Sequence, residues 1–109
     1  MEIGCGLGYV SVLLSSLADR VYATDLPEAD TRLHAVGLQR TNEFLARAGV
    51  TNVESHGVDA RNMRFEDESF DVIYSMFVMQ HIRNKAKAVE EMHRADYLFV
   101  VQEPPCTGA

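Results

Sequence analysis

Apolar and polar positions along the chain follow two alternating periods. Val10, Leu13, Leu14 and Leu17 recur at three-to-four spacing and predict a helix over residues 9–17. Short β-prone runs lie on either side of such helical stretches. "RVYATD" (20–25) and "NVESHGV" (52–58) read as strands, "FDVIYSMFV" (70–78) as a buried strand that overruns into the next connection, and "YLFVVQ" (97–102) as a fifth. Residues 29–48 read as a long helix that stops at Gly49, and residues 86–94 as another. Residues 1–3 look like the end of a strand, residues 26–28 a turn, 59–69 a polar loop, and Pro104 and Pro105 bar any continuation of the last strand.

Strand and helix in alternation is the pattern of a parallel sheet wrapped by crossover helices. Four full strands, one stub and three helices therefore predict one domain over residues 1–109, with a doubly wound α/β sheet and right-handed crossovers. The chain has 109 residues, 47% of them hydrophobic and 24% charged, the balance of a globular domain with one core.

Between the stub and the first helix stands "EIGCGLGYV", with Gly4, Gly6 and Gly8 at every second position. Glycine is favoured where the backbone turns sharply or something approaches it closely. A strand, a glycine turn and a helix start together present unpaired N–H groups at the carboxyl edge of a sheet, where small polar ligands bind. A tight turn with no ligand is the simpler reading of the same residues. A dinucleotide fingerprint would need Gly-x-Gly-x-x-Gly, but Tyr9 stands where its third glycine belongs; a phosphate loop would need Gly-Lys-Ser/Thr, which is absent.

Charge and cysteines narrow the field further. Sixteen acidic and ten basic residues give a formal net charge of -6, with Lys and Arg scattered, so a nucleic-acid partner is not expected. Cys5 and Cys106 stand far apart without a metal-ligand spacing, which predicts neither a zinc site nor a disulfide framework and fits a reducing, cytoplasmic setting. No apolar run is long enough for a membrane span, and no leader pattern opens the chain.

"EIGCGLG" resembles the first motif of the class I S-adenosylmethionine-dependent methyltransferases, an acidic residue followed by Gly-x-Gly-x-Gly. The resemblance runs through nearly the whole chain. It implies a Rossmann-like fold and S-adenosylmethionine as cofactor, with the backbone of Gly4, Cys5, Gly6 and Gly8 against its methionine part, where side chains would collide with it. It further implies that Glu2 meets the cofactor's amino group, directly or through water. Asp25, at the end of the second strand, is then the acceptor of the ribose hydroxyls, and Leu26 covers an adenine face. Asp59 would accept from the adenine amino group while the N–H of Ala60 meets a ring nitrogen; an Asx turn opening the loop is the plainer alternative for Asp59.

Phe65, Phe70 and Asp71 fall where the family approaches its fourth strand, and their expected roles are structural. Ser75, Met76 and Phe77 are expected to line the pocket. His81 is the one candidate base, since an imidazole suits proton transfer near neutrality; the family also has a structural histidine there. His34, His56 and His93 read as surface residues. No metal is expected.

The family's lead-in to the first strand, its Pro-Gly-Gly turn before strand five and its elements after that strand have no counterpart here, so the domain reads as truncated at its N-terminus and after strand five. The fifth strand then becomes an open edge, suited to self-association or a partner chain. Two functions follow: a methyltransferase acting on an unidentified, small-molecule acceptor, or a non-catalytic cofactor-binding or partner-binding module of the same fold.

Overall fold

The alternation of periods resolves into a five-stranded, wholly parallel sheet. A computed structural model describes residues 1–26, 38–76 and 78–102. In chain order the elements are β1 (Glu2–Ile3), α1 (Tyr9–Leu14), β2 (Val21–Asp25), α2 (Leu38–Ala48), β3 (Val53–Gly57), β4 (Phe70–Met76), a 3-10 helix (Met79–His81), α3 (Lys85–Ala95) and β5 (Asp96–Gln102). The sheet order is β3-β2-β1-β4-β5, so the two-residue β1 lies at its centre. Connections leave β1 in one direction and return on its other side at β4, which creates the crevice where doubly wound sheets bind ligands.

The two residues of β1 separate the layers. Successive side chains of a strand point to opposite faces. Glu2 is bonded to Ser11 of α1, whereas Ile3 belongs to a buried cluster with Ala88, Met92 and Ala95 of α3. Helices therefore cover both faces, as the pattern predicts. On the α3 side the cluster also takes in Ala60, Met63, Ile73 and Met79, with Phe65 and Phe70 packed against it. Those two rings meet edge-on with centroids 4.8 Å apart, and Tyr22 meets Phe70 at 5.3 Å, so both phenylalanines anchor structure as expected. Asp71 is exposed near the start of β4.

Several boundaries differ from the sequence reading. The first helix ends at Leu14, because the Ser15 and Ser16 hydroxyls turn back to the carbonyls of Val12 and Leu13, and Leu17, three residues past the helix end, is 81% exposed. Leu13 is exposed too, so the spacing of four apolar residues overstated the buried face. β4 ends at Met76 rather than running on, and it is not uniformly buried: Ile73 and Ser75 are enclosed while Val72 is 46% exposed. The face of β4 turned away from α3 is thus only partly covered, with Val72 exposed and Tyr74 half-buried. α2 stops before Gly49 as read, whereas residues 29–37 of that predicted helix, the turn at Pro27 and Glu28, His34, Phe77, Pro104, Pro105 and Cys106 lie outside the described residues. β5 is an edge strand among the described residues.

Candidate functional site

Three chain segments meet the carboxyl edge of the sheet, and each is held differently. The first is the glycine loop. Its Cys5 N–H extends the β1–β2 ladder to the Thr24 carbonyl at 2.9 Å, and Gly8 N–H closes back on the Cys5 carbonyl at 2.9 Å. From α2, Thr41 Oγ1 donates to the Gly6 carbonyl at 2.6 Å. The three glycines all have positive φ, yet each is glycine for its own reason. A Cβ on Gly4 would fall 2.3 Å from Cγ2 of Val78, and one on Gly8 would rest 3.4 Å from Leu45. A Cβ on Gly6, at φ +55, would have no protein atom within 4 Å. Within the protein itself the three positions therefore lack a side chain for different reasons. Gly4 makes room for Val78, Gly8 answers to its φ of +100 with α2 at ordinary contact distance, and of the three only Gly6 faces open space.

The second segment is the end of β2. Asp25 Oδ2 accepts the Gly6 N–H at 3.1 Å and Oδ1 accepts the Leu26 N–H at 2.9 Å. Two backbone donors therefore aim the carboxylate across the glycine loop. Val58 N–H donates to the Asp25 carbonyl at 2.7 Å, which brings the third segment alongside.

That third segment begins at Asp59. Its carboxylate takes a fork from Arg61, Nε to Oδ1 at 3.1 Å and Nη2 to Oδ2 at 2.9 Å, and accepts the Arg61 N–H at 2.9 Å. This side-chain hydrogen bonding holds Asp59 below the ordinary carboxylate range, so it stays an acceptor. The Arg61 N–H bond is also the Asx turn that the loop composition allows. Ala60 is buried beside it.

Beneath the glycine loop lies a low-dielectric layer. Glu2, 3% exposed, accepts the Ser11 hydroxyl at 2.6 Å, and desolvation pushes its carboxyl up. Desolvation, with the charges of Asp25 and Glu2 behind it, pushes the Cys5 thiol up to about 12. Cys5 is therefore a packed thiol and not a nucleophile. On the other side of β1, Ser75 is wholly buried, and its Oγ has no hydrogen-bond partner among the described residues. Ser75 sits opposite Ile3 in the ladder, at the strand crevice, and Met76 follows it half-buried at the strand's end.

A methyltransferase-domain family model matches residues 1–95. The chain belongs to the methyltransferase domain family. Its fold is that of the class I S-adenosylmethionine-dependent methyltransferases, and the family's cofactor is S-adenosylmethionine. Among curated relatives it is 33% identical over 92 residues to a malonyl-[acyl-carrier protein] O-methyltransferase of Bacillus cereus, covering 84% of this chain and 31% of that protein. It is 33% identical over 97 residues to the chloroplastic tocopherol O-methyltransferase of Arabidopsis thaliana, covering 86% of this chain and 26% of the relative. The chain thus spans about a quarter to a third of these relatives. The crystal structure of the Bacillus subtilis YcgJ protein superposes with a TM-score of 0.79 at 25% identity, over 92% of this chain and 41% of that one.

The residues of this methyltransferase domain fit the family's cofactor on two counts. The bare backbone at Gly6 leaves open space beside an aimed carboxylate, and Ser75 carries a buried hydroxyl in want of a partner. Among the described residues no group of His, Cys, Asp and Glu could hold a metal, and no helix is long and apolar enough to cross a membrane. His81 closes the 3-10 helix with its side chain exposed. His56 pairs with Glu54 at 3.3 Å beside Tyr22, and His93 is exposed on α3. Sequence reasoning missed Thr41, Ser11 and Arg61, whose partners lie on other elements or, for Arg61, depend on a local turn. It also missed Val78, whose only signal is the glycine it faces.

Proposed function

We propose that this methyltransferase domain binds S-adenosylmethionine along the carboxyl edge of its sheet and supports methyl transfer to a small-molecule acceptor. The observation that carries the reading is Gly6: a positive φ, open space where its Cβ would stand, and an N–H bonded to Asp25. In this reading Gly4, Cys5, Gly6 and Gly8 lay their backbone along the methionine part and Glu2 faces its amino group. Asp25 accepts the ribose hydroxyls, for which Gly6 and Leu26 have already oriented it. Leu26 lies on the adenine face, Asp59 accepts the exocyclic amino group, and Ala60 donates its N–H to the ring. Ser75 and Met76 line the end of the crevice nearest the reacting centre.

When bound, S-adenosylmethionine supplies an electrophilic methyl group on a sulfonium. The chain's own task is then alignment and exclusion of water, which is worth roughly 7–11 kcal/mol of such a barrier. No nucleophile of the protein is needed, in keeping with a Cys5 thiol that stays protonated. His81 is the candidate base for an acceptor that must lose a proton. The relatives named above are named for tocopherol and for malonyl-[acyl-carrier protein], and others for sterol and for ubiquinone biosynthesis; the tocopherol and sterol names support a small organic acceptor. The reading places the domain in the cytoplasm with no nucleic-acid partner.

Titration calorimetry with S-adenosylmethionine, S-adenosylhomocysteine and NAD tests it. The two sulfur nucleosides are expected to bind and NAD not to. Asp25→Ala is expected to weaken binding about tenfold or more, against no change for the exposed Asp19→Ala. Equal affinities for the two variants would refute the ribose assignment, and a folded chain that binds neither sulfur nucleoside would refute the function.

A further inference from the structure

The segment between β3 and β4 has no helix of its own, yet its backbone is tied to α3 at Met63, Phe65 and Glu68. Asn62 N–H closes a turn on the Asp59 carbonyl at 2.9 Å. The next residue, Met63, is gripped by three means. Glu91 Oε1 accepts its N–H at 2.8 Å, Arg94 Nη2 donates to its carbonyl at 2.8 Å, and its side chain is enclosed in the core. Arg94 Nη1 reaches on to the Phe65 carbonyl at 2.7 Å and Asp67 at 2.8 Å, Nε holds Glu91 Oε2 at 2.8 Å, and Glu68 N–H returns to the Arg94 carbonyl at 3.0 Å. Glu91 is 8% exposed, an unusual depth for a carboxylate on a helix whose neighbouring charges face water.

What this clamp fixes is the turn of residues 59–62. The turn is pinned to Asp25 at one end through Val58, and to α3 at the other through Met63. Between the pins stand Asp59, oriented by the Arg61 fork, and Ala60. A hydrogen-bonding edge discriminates between ligands only when its groups are already in place, because ordering them on binding consumes the gain.

We propose that Glu91 and Arg94 are positioning residues for purine recognition: by clamping Met63 they hold Asp59 and Ala60 in the geometry that selects a 6-amino purine over a 6-oxo purine. The proposal rests on the adenine reading of Asp59 and Ala60 given above. An acceptor-only carboxylate attracts an amino group and repels a ring carbonyl, so a rigid turn converts that difference into selectivity. A loosened turn lets Asp59 swing away from the carbonyl and forgives the wrong ring.

The test is the affinity ratio of S-adenosylhomocysteine to S-inosylhomocysteine, measured by calorimetry on the 109-residue chain and its variants. A purely structural role would lower both affinities together and leave the ratio unchanged, since both ligands need the same folded chain. Arg94→Lys, which keeps the charge but loses the fork, is expected to cut the ratio about tenfold. Glu91→Gln retains an acceptor for Met63 and is expected to keep more of the ratio, with a loss of about threefold. Asp59→Asn is expected to abolish the preference. If Asp59→Asn does so while Arg94→Lys and Glu91→Gln leave the ratio intact, the clamp has no part in selectivity and the proposal falls, with the adenine reading standing. If Asp59→Asn leaves the ratio intact, or the folded wild type binds neither nucleoside, the reading falls and takes the proposal with it. Should Arg94→Lys fail to fold, an unchanged ratio in Glu91→Gln overturns the proposal alone.

Discussion

The glycine loop at the carboxyl edge of the sheet and the connection that leaves that edge after β3 hold their shapes by opposite means. Residues 4–8 hold their shape with backbone: positive φ at three glycines, a ladder bond to Thr24, and the threonine of α2 on the Gly6 carbonyl. Residues 59–69 hold theirs with charge: an Arg61–Asp59 fork, a buried Glu91, and an Arg94 that spans two carbonyls and two carboxylates. A loop that must leave room for a ligand cannot carry large side chains, so it is shaped by omission. A loop that must present a side chain can borrow rigidity from a neighbouring helix. The glycine loop should therefore break by adding atoms, and the second loop by removing them.

The largest effect is expected at Gly4→Ala. The new Cβ would meet Val78 at 2.3 Å in a left-handed backbone, and strain with overpacking sums to about 3 kcal/mol of lost stability in urea unfolding. Stability within error of the wild type would mean that Val78 moves aside freely and that Gly4 answers to something else. Glu91→Ala should come next, at about 2 kcal/mol, because the buried Met63 N–H loses its acceptor. A neutral result would show that water replaces the carboxylate. Gly6→Ala is expected to cost about 1 kcal/mol, the strain of a positive φ without a clash, while weakening S-adenosylmethionine binding by more than Gly8→Ala does. Equal binding losses at the two positions would erase the distinction between the glycine that opens outward and the one that packs on α2.

The smallest effect separates the loops by sign. Desolvation raises the carboxyl of Glu2, under the glycine loop, so its contribution to stability is complete at low pH and is lost as pH rises through the raised value. Hydrogen bonds from Arg94 lower Glu91, so its contribution is present above the ordinary carboxylate range and lost as pH falls through the depressed value. Asp59 shifts the same way through Arg61. In melting curves against pH, Glu2→Gln should flatten the high side and Glu91→Gln the acid side. The reverse assignment would contradict the burial of one carboxyl or the pairing of the other.

The same contrast explains what could be read in advance. The parallel sheet, the glycine turn after its first strand, and the strand-end positions of Asp25 and Asp59 were legible, because alternation, glycine spacing and strand-end acids are local signals. The rest depends on residues far apart in the chain. Gly4 is bare because of Val78, and nothing near Gly4 announces it. Glu91 and Arg94 have the look of solvated charges on a polar helix face until Met63 and Phe65 are brought against them. The apolar spacing that placed Leu17 on a helix failed for a different reason, since two serine hydroxyls ended that helix first.

Amide hydrogen exchange with and without S-adenosylhomocysteine tests the central claim most directly, that both loops close on one ligand. Added protection is expected together at residues 4–8, at Asp25 and Leu26, and at Asp59 and Ala60, with β3 unchanged. Binding that protects only one loop, or protects a surface away from the carboxyl edge, would contradict a shared site.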